Sequence, residues 1–230
     1  MDYYQQDRAY ESGKSLSEQF VRVFGWMFIG LIITGVTAVF TANALLTGAI
    51  GFSRLMFYSL IAVELGLVWF LASRAMKMSY GAAATAFAIY SVVNGVTLST
   101  IFLAYTASSI AYVFFISAAF FGFMSVYGIV TKQDLTSLGS LFFMGLIGLI
   151  ITSVINIFLR SSTLDWIISF VGVAIFLGLT AYDSQKIKDI HYAYAGTDKE
   201  RNVAIVGALT LYLDFVNLFL YILRILGKRR

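Results

Sequence analysis

Cysteine and proline are both absent from this 230-residue chain, histidine occurs once, and charged residues make up only 12% of it. Each shortage excludes something. Without cysteine there is no disulfide, no thiol nucleophile and no cysteine-ligated metal, and a single imidazole, His191, cannot build a multi-histidine zinc or haem site. Without proline, any break in a helix must come from glycine or a polar insertion. With so few charges set against 60% hydrophobic residues and a mean hydropathy of +0.84, a soluble domain of this length could not cover its apolar surface. The reading that remains is an all-α membrane protein whose first partner is the lipid bilayer. The net charge of +4 is no sign of nucleic acid, because the basic residues lie at segment ends, where they orient membrane proteins.

What the chain does have is apolar runs of membrane length. They fall at about 23–40, 55–73, 81–103, 108–130, 138–159, 166–182 and 203–226, which predicts seven transmembrane helices in one domain, 23–230. A polar segment, 1–22, precedes them without the pattern of a signal peptide. Within it Ser15 and Glu18 have the spacing of a capping box, which predicts a helix start there. The short loops predict that neighbours in sequence pack as antiparallel neighbours in space. Small residues at helical spacing, Gly25 to Gly35, Ala118 with Gly122, and Gly145 with Gly148, are read as packing seams.

Orientation follows from the basic residues. Arg8, Lys14, Arg22, Arg74, Lys77, Lys132, Lys186, Lys188, Lys199 and Arg201 share one side, against Arg54 and Arg160 on the other. That bias puts the N-terminus in the cytosol. Lys228, Arg229 and Arg230 resist it, since a full last span places them outside; a re-entrant last segment is the alternative, and its length favours the full span.

The segment from Val203 to Leu226 carries an aspartate at its middle. Gly207, Thr210, Asp214, Asn217 and Tyr221 stack its small and polar groups on one stripe, which must face protein or water. A carboxylate at mid-membrane costs at least about 2.5 kcal/mol, so Asp214 is read as functional. The other ionisable groups of the spans are Glu64 in the second and Asp183 at the end of the sixth. Counting depth along the spans puts Asp214 about two turns deeper than Asp183, an offset that tilt must absorb if the two are to meet. Meeting in a dry site, they cannot both ionise cheaply, so they share one proton. Holding it, the pair clamps two helices together; losing it makes them repel, and a second proton weakens the charge-assisted bond. Arg74 is the candidate latch partner, and Glu64 and Asn217 are candidate contacts on an ion pathway. The plainer alternative has Asp183 held at the interface by Lys186 and Asp214 only bonding neighbouring helices. His191, in a polar stretch, is read as a solvated side chain.

Paired membrane aspartates also occur in intramembrane aspartyl proteases. Tyr182-Asp183 fits one of their motifs. Asp214 follows Leu211, Tyr212 and Leu213 in place of the glycine motif, and a chain without proline lacks their Pro-Ala-Leu element, so no enzyme activity is expected.

At GLTAYDSQKIK (178–188) and GALTLYLDFVNLFL (207–220) the chain resembles the transmembrane Bax-inhibitor-motif (TMBIM) family, in particular its bacterial branch. Looser likeness runs through VFGWMFIGLIITGV and TKQDLTSLGS. The resemblance implies a seven-helix bundle with the last helix central and wrapped by the other six, a proton-sharing sensor at Asp183 and Asp214 joined by an arginine near Arg74, and a pH-sensitive calcium leak. Calcium takes six to eight oxygens. Two or three carboxylates offer only weak binding, at Asp183 and Asp214, which suits conduction rather than storage. The function expected is thus a pH-sensitive calcium leak channel in a bacterial cytoplasmic membrane, with protons and calcium ions as its partners and no cofactor. The alternatives are a proton-coupled calcium or cation exchanger, and a non-transporting regulator of a membrane protease or other membrane-protein partner.

Overall fold

A computed structural model describes the backbone of residues 3–230 and the side chains of residues 15–230. In chain order the helices are α1 (Tyr3–Leu46), α2 (Arg54–Arg74), α3 (Tyr80–Ala104), α4 (Ala107–Val130), α5 (Thr136–Leu159), α6 (Ser162–Tyr194) and α7 (Glu200–Leu226). Each contains a stretch long and apolar enough to cross a bilayer.

Hydroxyl groups set the helix starts that proline often marks elsewhere. Ser53, Ser79, Thr106 and Ser161 precede α2, α3, α4 and α6, and each side chain accepts the backbone N–H of the residue three further on. Gly48 and Gly196 supply positive φ, 72° and 73°, in the α1–α2 and α6–α7 connections. The expected start at Ser15 is not used. Helix α1 is already helical at Tyr3, because the preceding residues include good helix formers such as Gln5, Gln6, Arg8 and Ala9. The Ser15 hydroxyl instead meets His191 Nε2 at 3.3 Å, across to α6. Arg8 and Lys14, used above for orientation, lie outside the described side chains.

Helix α7 is the core. It is the most buried of the spans, and α1, α3, α4 and α6 surround it, with α2 packed chiefly on α3 and α5 chiefly on α6. The last helix is therefore central, but four helices wrap it rather than six. It also runs the whole thickness of the bundle. Asn202, at its start, donates to the carbonyls of Ala75 and Met78 beside the start of α3, while Arg229, beyond its end, pairs with Tyr105 at the end of α3. The two termini thus lie on opposite faces, and the re-entrant alternative is excluded.

Packing does not follow sequence order throughout. Helix α1 lies against α3, and α4 against α6, although α3 and α4 are joined by only Tyr105 and Thr106. Glycines explain the choice. A side chain at Gly95 would strike the Thr34 backbone, and one at Gly128 would strike the Ala181 carbonyl, so these helices touch main chain to main chain. Of the expected seams, Gly30 meets Phe87 and Gly145 meets Ile175, whereas Gly25, Gly35, Gly122 and Gly148 face open space. Small-residue spacing alone does not say which glycine has a neighbour.

Candidate functional site

Asp183 and Asp214 come together. Helix α6 continues for eleven residues past Asp183, and α7 begins fourteen residues before Asp214. Across the hairpin the two are offset by about 4.5 Å at 1.5 Å per residue, rather than by two turns. The depth count went wrong because α6 extends well past the apolar run that marked its span. The carboxyl groups lie within hydrogen-bond reach of each other. Asp214 is 5% exposed, and its Oδ2 has no hydrogen-bond donor among the described residues.

No ion pair engages the two aspartates among the described residues, although the Lys186 charge, one turn along α6, acts on Asp183. Among the described residues the ion pairs are Arg22 with Glu18 and Glu200, and Arg224 with Asp165; Asp183, Asp214 and Arg74 take no part. Arg74 is exposed at the end of α2. The Lys186 ammonium sits over the Tyr182 ring at 5.6 Å from its centre.

The pair forms part of the wall of a cleft of about 990 Å³ between α2 and α3 on one side and α5 and α6 on the other. Glu64, Asn94, Thr97, Thr210 and Asn217 line it as well, so every sequence-derived site residue except Arg74 faces one space. Several of these polar groups spend their protons on their own helices. Thr97 donates to the Val93 carbonyl, Thr210 to Val206 at 3.1 Å, and the Asn217 amide to Leu213 at 2.8 Å. The hydroxyls keep oxygen lone pairs for the cleft, and Asn217 keeps its Oδ1 and a second amide N–H. One oxygen of Glu64 is buried without a partner. The polar part of the lining is therefore mainly oxygen, the donor set of a hard cation, set among apolar side chains and with Lys186 also lining the cleft. Among the described residues no three His, Cys, Asp or Glu side chains converge on a point, so hydroxyl and amide oxygens would have to complete any coordination.

Behind the cleft lies a network that the sequence reading passed over. The Tyr212 hydroxyl is 2.6 Å from Thr34 Oγ1 and 3.2 Å from Asn94 Oδ1, and the Asn94 amide reaches the Tyr90 hydroxyl at 3.4 Å. The network joins α1, α3 and α7 around a fully buried ring. An asparagine in the middle of the third apolar run was the signal available for it.

The end of the cleft nearest the N-terminal face is fixed by the α4–α5 connection. Gln185 on α6 accepts the Leu135 N–H at 2.8 Å and donates to the Gln133 carbonyl at 2.8 Å. Asp134 accepts the Thr136 N–H at 2.9 Å; bonding to Thr136 holds its carboxyl below the usual carboxylate range. His191 corrects the expectation of a solvated side chain. It lies on α6 at 1% exposure, and burial pushes its imidazole below its ordinary value, with the Arg22 charge adding to the effect and Glu200 opposing it.

A family model described as "Inhibitor of apoptosis-promoting Bax1" matches residues 16–230. The chain is 44% identical over 218 residues to "Inner membrane protein YbhL" of Escherichia coli (strain K12), covering 94% of this chain and 93% of that protein. It is 47% identical over 211 residues, 91% of each chain, to an uncharacterized protein of Borreliella burgdorferi, and 40% identical over 221 residues, 94% and 92%, to "Uncharacterized protein RP147" of Rickettsia prowazekii.

Proposed function

The chain belongs to the Bax inhibitor family described as Inhibitor of apoptosis-promoting Bax1, and from that premise we propose that it is a pH-sensitive calcium leak of a bacterial inner membrane, with its N-terminal face in the cytosol. One observation carries the reading: two carboxyl groups face each other in the wall of a cleft whose polar groups are mainly oxygens, with no ion pair to either among the described residues. Two carboxylates have no proton donor of their own, so the contact holds while they share one proton.

The gate follows from that proton. With one proton the pair is a charge-assisted bond that fastens α6 to α7. Loss of the proton sets two like charges against each other. Gain of a second leaves a weaker neutral contact. The leak is therefore least where one proton is held and grows as pH moves to either side. Glu64 and the Asn217 oxygen offer steps along the cleft for a partly hydrated cation, and the small number of carboxylates keeps binding weak enough for the ion to leave.

Calcium flux into liposomes, measured between about pH 6 and about pH 8 for wild type and Asp214→Asn, tests the proposal. The wild type shows a pH-dependent flux and the variant a flat one; a variant with the wild-type response removes the gate. An imposed proton gradient separates the leak from an exchanger. Protons that drive calcium against its own gradient would replace the leak by exchange.

A further inference from the structure

A second titratable group stands away from the aspartates, where α1, α6 and α7 meet near the N-terminal face. His191 contributes the imidazole. Its Nε2 contacts the Ser15 hydroxyl of α1 at 3.3 Å, and its Nδ1 has no hydrogen-bond partner among the described residues. One turn along α1 from Ser15, Gln19 is fully buried and gives its amide proton to the Glu200 carbonyl at the start of α7, at 3.4 Å. Beneath them Gly207 brings α7 close: a side chain there would come within 3.1 Å of Val23 and 3.2 Å of Ile187. Apolar packing thus separates His191 from the cleft.

The surroundings favour an uncharged ring. A protonated imidazole carries hydrogen on both nitrogens, and here the Nδ1–H would find no acceptor among the described residues. Arg22 faces it from α1 with the same sign of charge. Glu200, at the start of α7, has the opposite sign, but one of its carboxylate oxygens lies 3.7 Å from Arg22 and the other accepts the Gly196 N–H at 3.0 Å. Lys188 and Asp189 precede His191 on its own helix within one turn and offset each other. Lys132 and Asp134 lie on the α4–α5 connection, which meets α6 at Gln185, nearly two turns back. A charge taken up at His191 is left buried and poorly compensated, and parting the helices relieves it.

We propose that His191 is a proton-operated fastening separate from the aspartate pair: when it takes up a proton, α1 loosens from α6 and α7, and the stretch of α6 that carries Asp183 is freed at its N-terminal-face end. Asp183 is eight residues back along the same helix, so the two fastenings act on one rod. The link to transport rests on the leak reading above; the loosening does not.

The composition makes the test direct. His191 is the only histidine and the chain has no cysteine, so one histidine NMR signal reports the imidazole and a Ser17→Cys, Ala193→Cys pair carries two spin labels across the junction. With the full chain in lipid nanodiscs, the histidine signal titrates below the ordinary range near pH 6.5, and the label distance lengthens with the same midpoint. Arg22→Gln moves that midpoint to higher pH and Glu200→Gln to lower pH, shifts that a merely structural role would not produce. His191→Gln abolishes the distance change and removes one step from the acid side of the flux profile. Titration without a change in distance overturns the proposal, as does a midpoint that ignores both charge variants or a distance change that survives in His191→Gln. If His191→Gln does not fold, the two charge variants carry the test. Absence of calcium flux at every pH would sink the leak while the labels still decide the fastening; unaltered pH dependence of flux in His191→Gln would sever the two.

Discussion

Tyr212 and Thr34 hold their hydroxyl oxygens 2.6 Å apart inside the bundle, joining the central helix to the first. The Thr34 hydroxyl also reaches the Ser91 carbonyl at 2.9 Å and the Tyr212 hydroxyl donates to Asn94 Oδ1 at 3.2 Å, so two hydroxyl protons serve three contacts. Tyr212→Phe keeps the ring, which packs edge-on to Phe87 and Tyr90 with centres 5.7 Å away, and deletes only the bond. Thr34 and Asn94 then lose a partner in a dry site, a cost of about 1–3 kcal/mol. Denaturant unfolding in detergent checks it; a loss near zero would mean that the network does not hold α7 in place.

The contact of α4 with α6 makes a paired prediction. Gly128→Ala drives a methyl group into the Ala181 carbonyl, where backbone on both sides leaves little room to yield, and costs about 1–3 kcal/mol. Gly122→Ala, on the same helix but facing open space, is neutral or stabilising by up to about 1 kcal/mol. Equal effects from the two substitutions would remove the close approach as the reason for this packing.

Glu64 and Asp183 face the same cleft but do different work under the proposed function. Glu64→Gln lowers calcium flux a few-fold and leaves the pH of the response in place, because Glu64 is not one of the two residues sharing the proton. Asp183→Asn removes the response itself. The pair of flux profiles distinguishes pathway from gate, and a pH shift in Glu64→Gln would merge the two roles.

Burial of His191 also fixes the sign of a stability change. Its folded pKa lies below the unfolded value near 6.5, so the unfolded chain binds the proton first. The contribution of the neutral imidazole is complete above about pH 6.5 and is lost as pH falls toward the folded value. Melting temperature therefore falls on acidification more steeply for wild type than for His191→Gln, and parallel curves would contradict the burial.

The number of helices was legible because long apolar runs are hard to mistake; the central place of α7 came from the family resemblance, since the polar stripe required only that one face of the last helix meet protein or water. The meeting of Asp183 with Asp214 was legible from the hairpin, although its register was not. The continuation of α6 to Tyr194 uses a mixed, charged sequence that hydropathy reads as a loop. That same continuation carries His191 into contact with α1, so one misread stretch produced both errors. The unused capping box at Ser15 has a related cause: local signals compete with distant partners, and here the partner is 176 residues away. Glycine spacing failed for another reason, since it marks where helices are able to approach but not which of them do.

Helices α2 and α5 are each secured along one flank only and bury little of themselves. Elements with few buried contacts have the smallest free energy of displacement. Under the proposed function, a widening of the cleft therefore begins with these two swinging outward like door leaves into fluid lipid, while the spindle between them keeps its alignment. On that reading, thickness and stiffness of the surrounding membrane become controls on permeation in their own right.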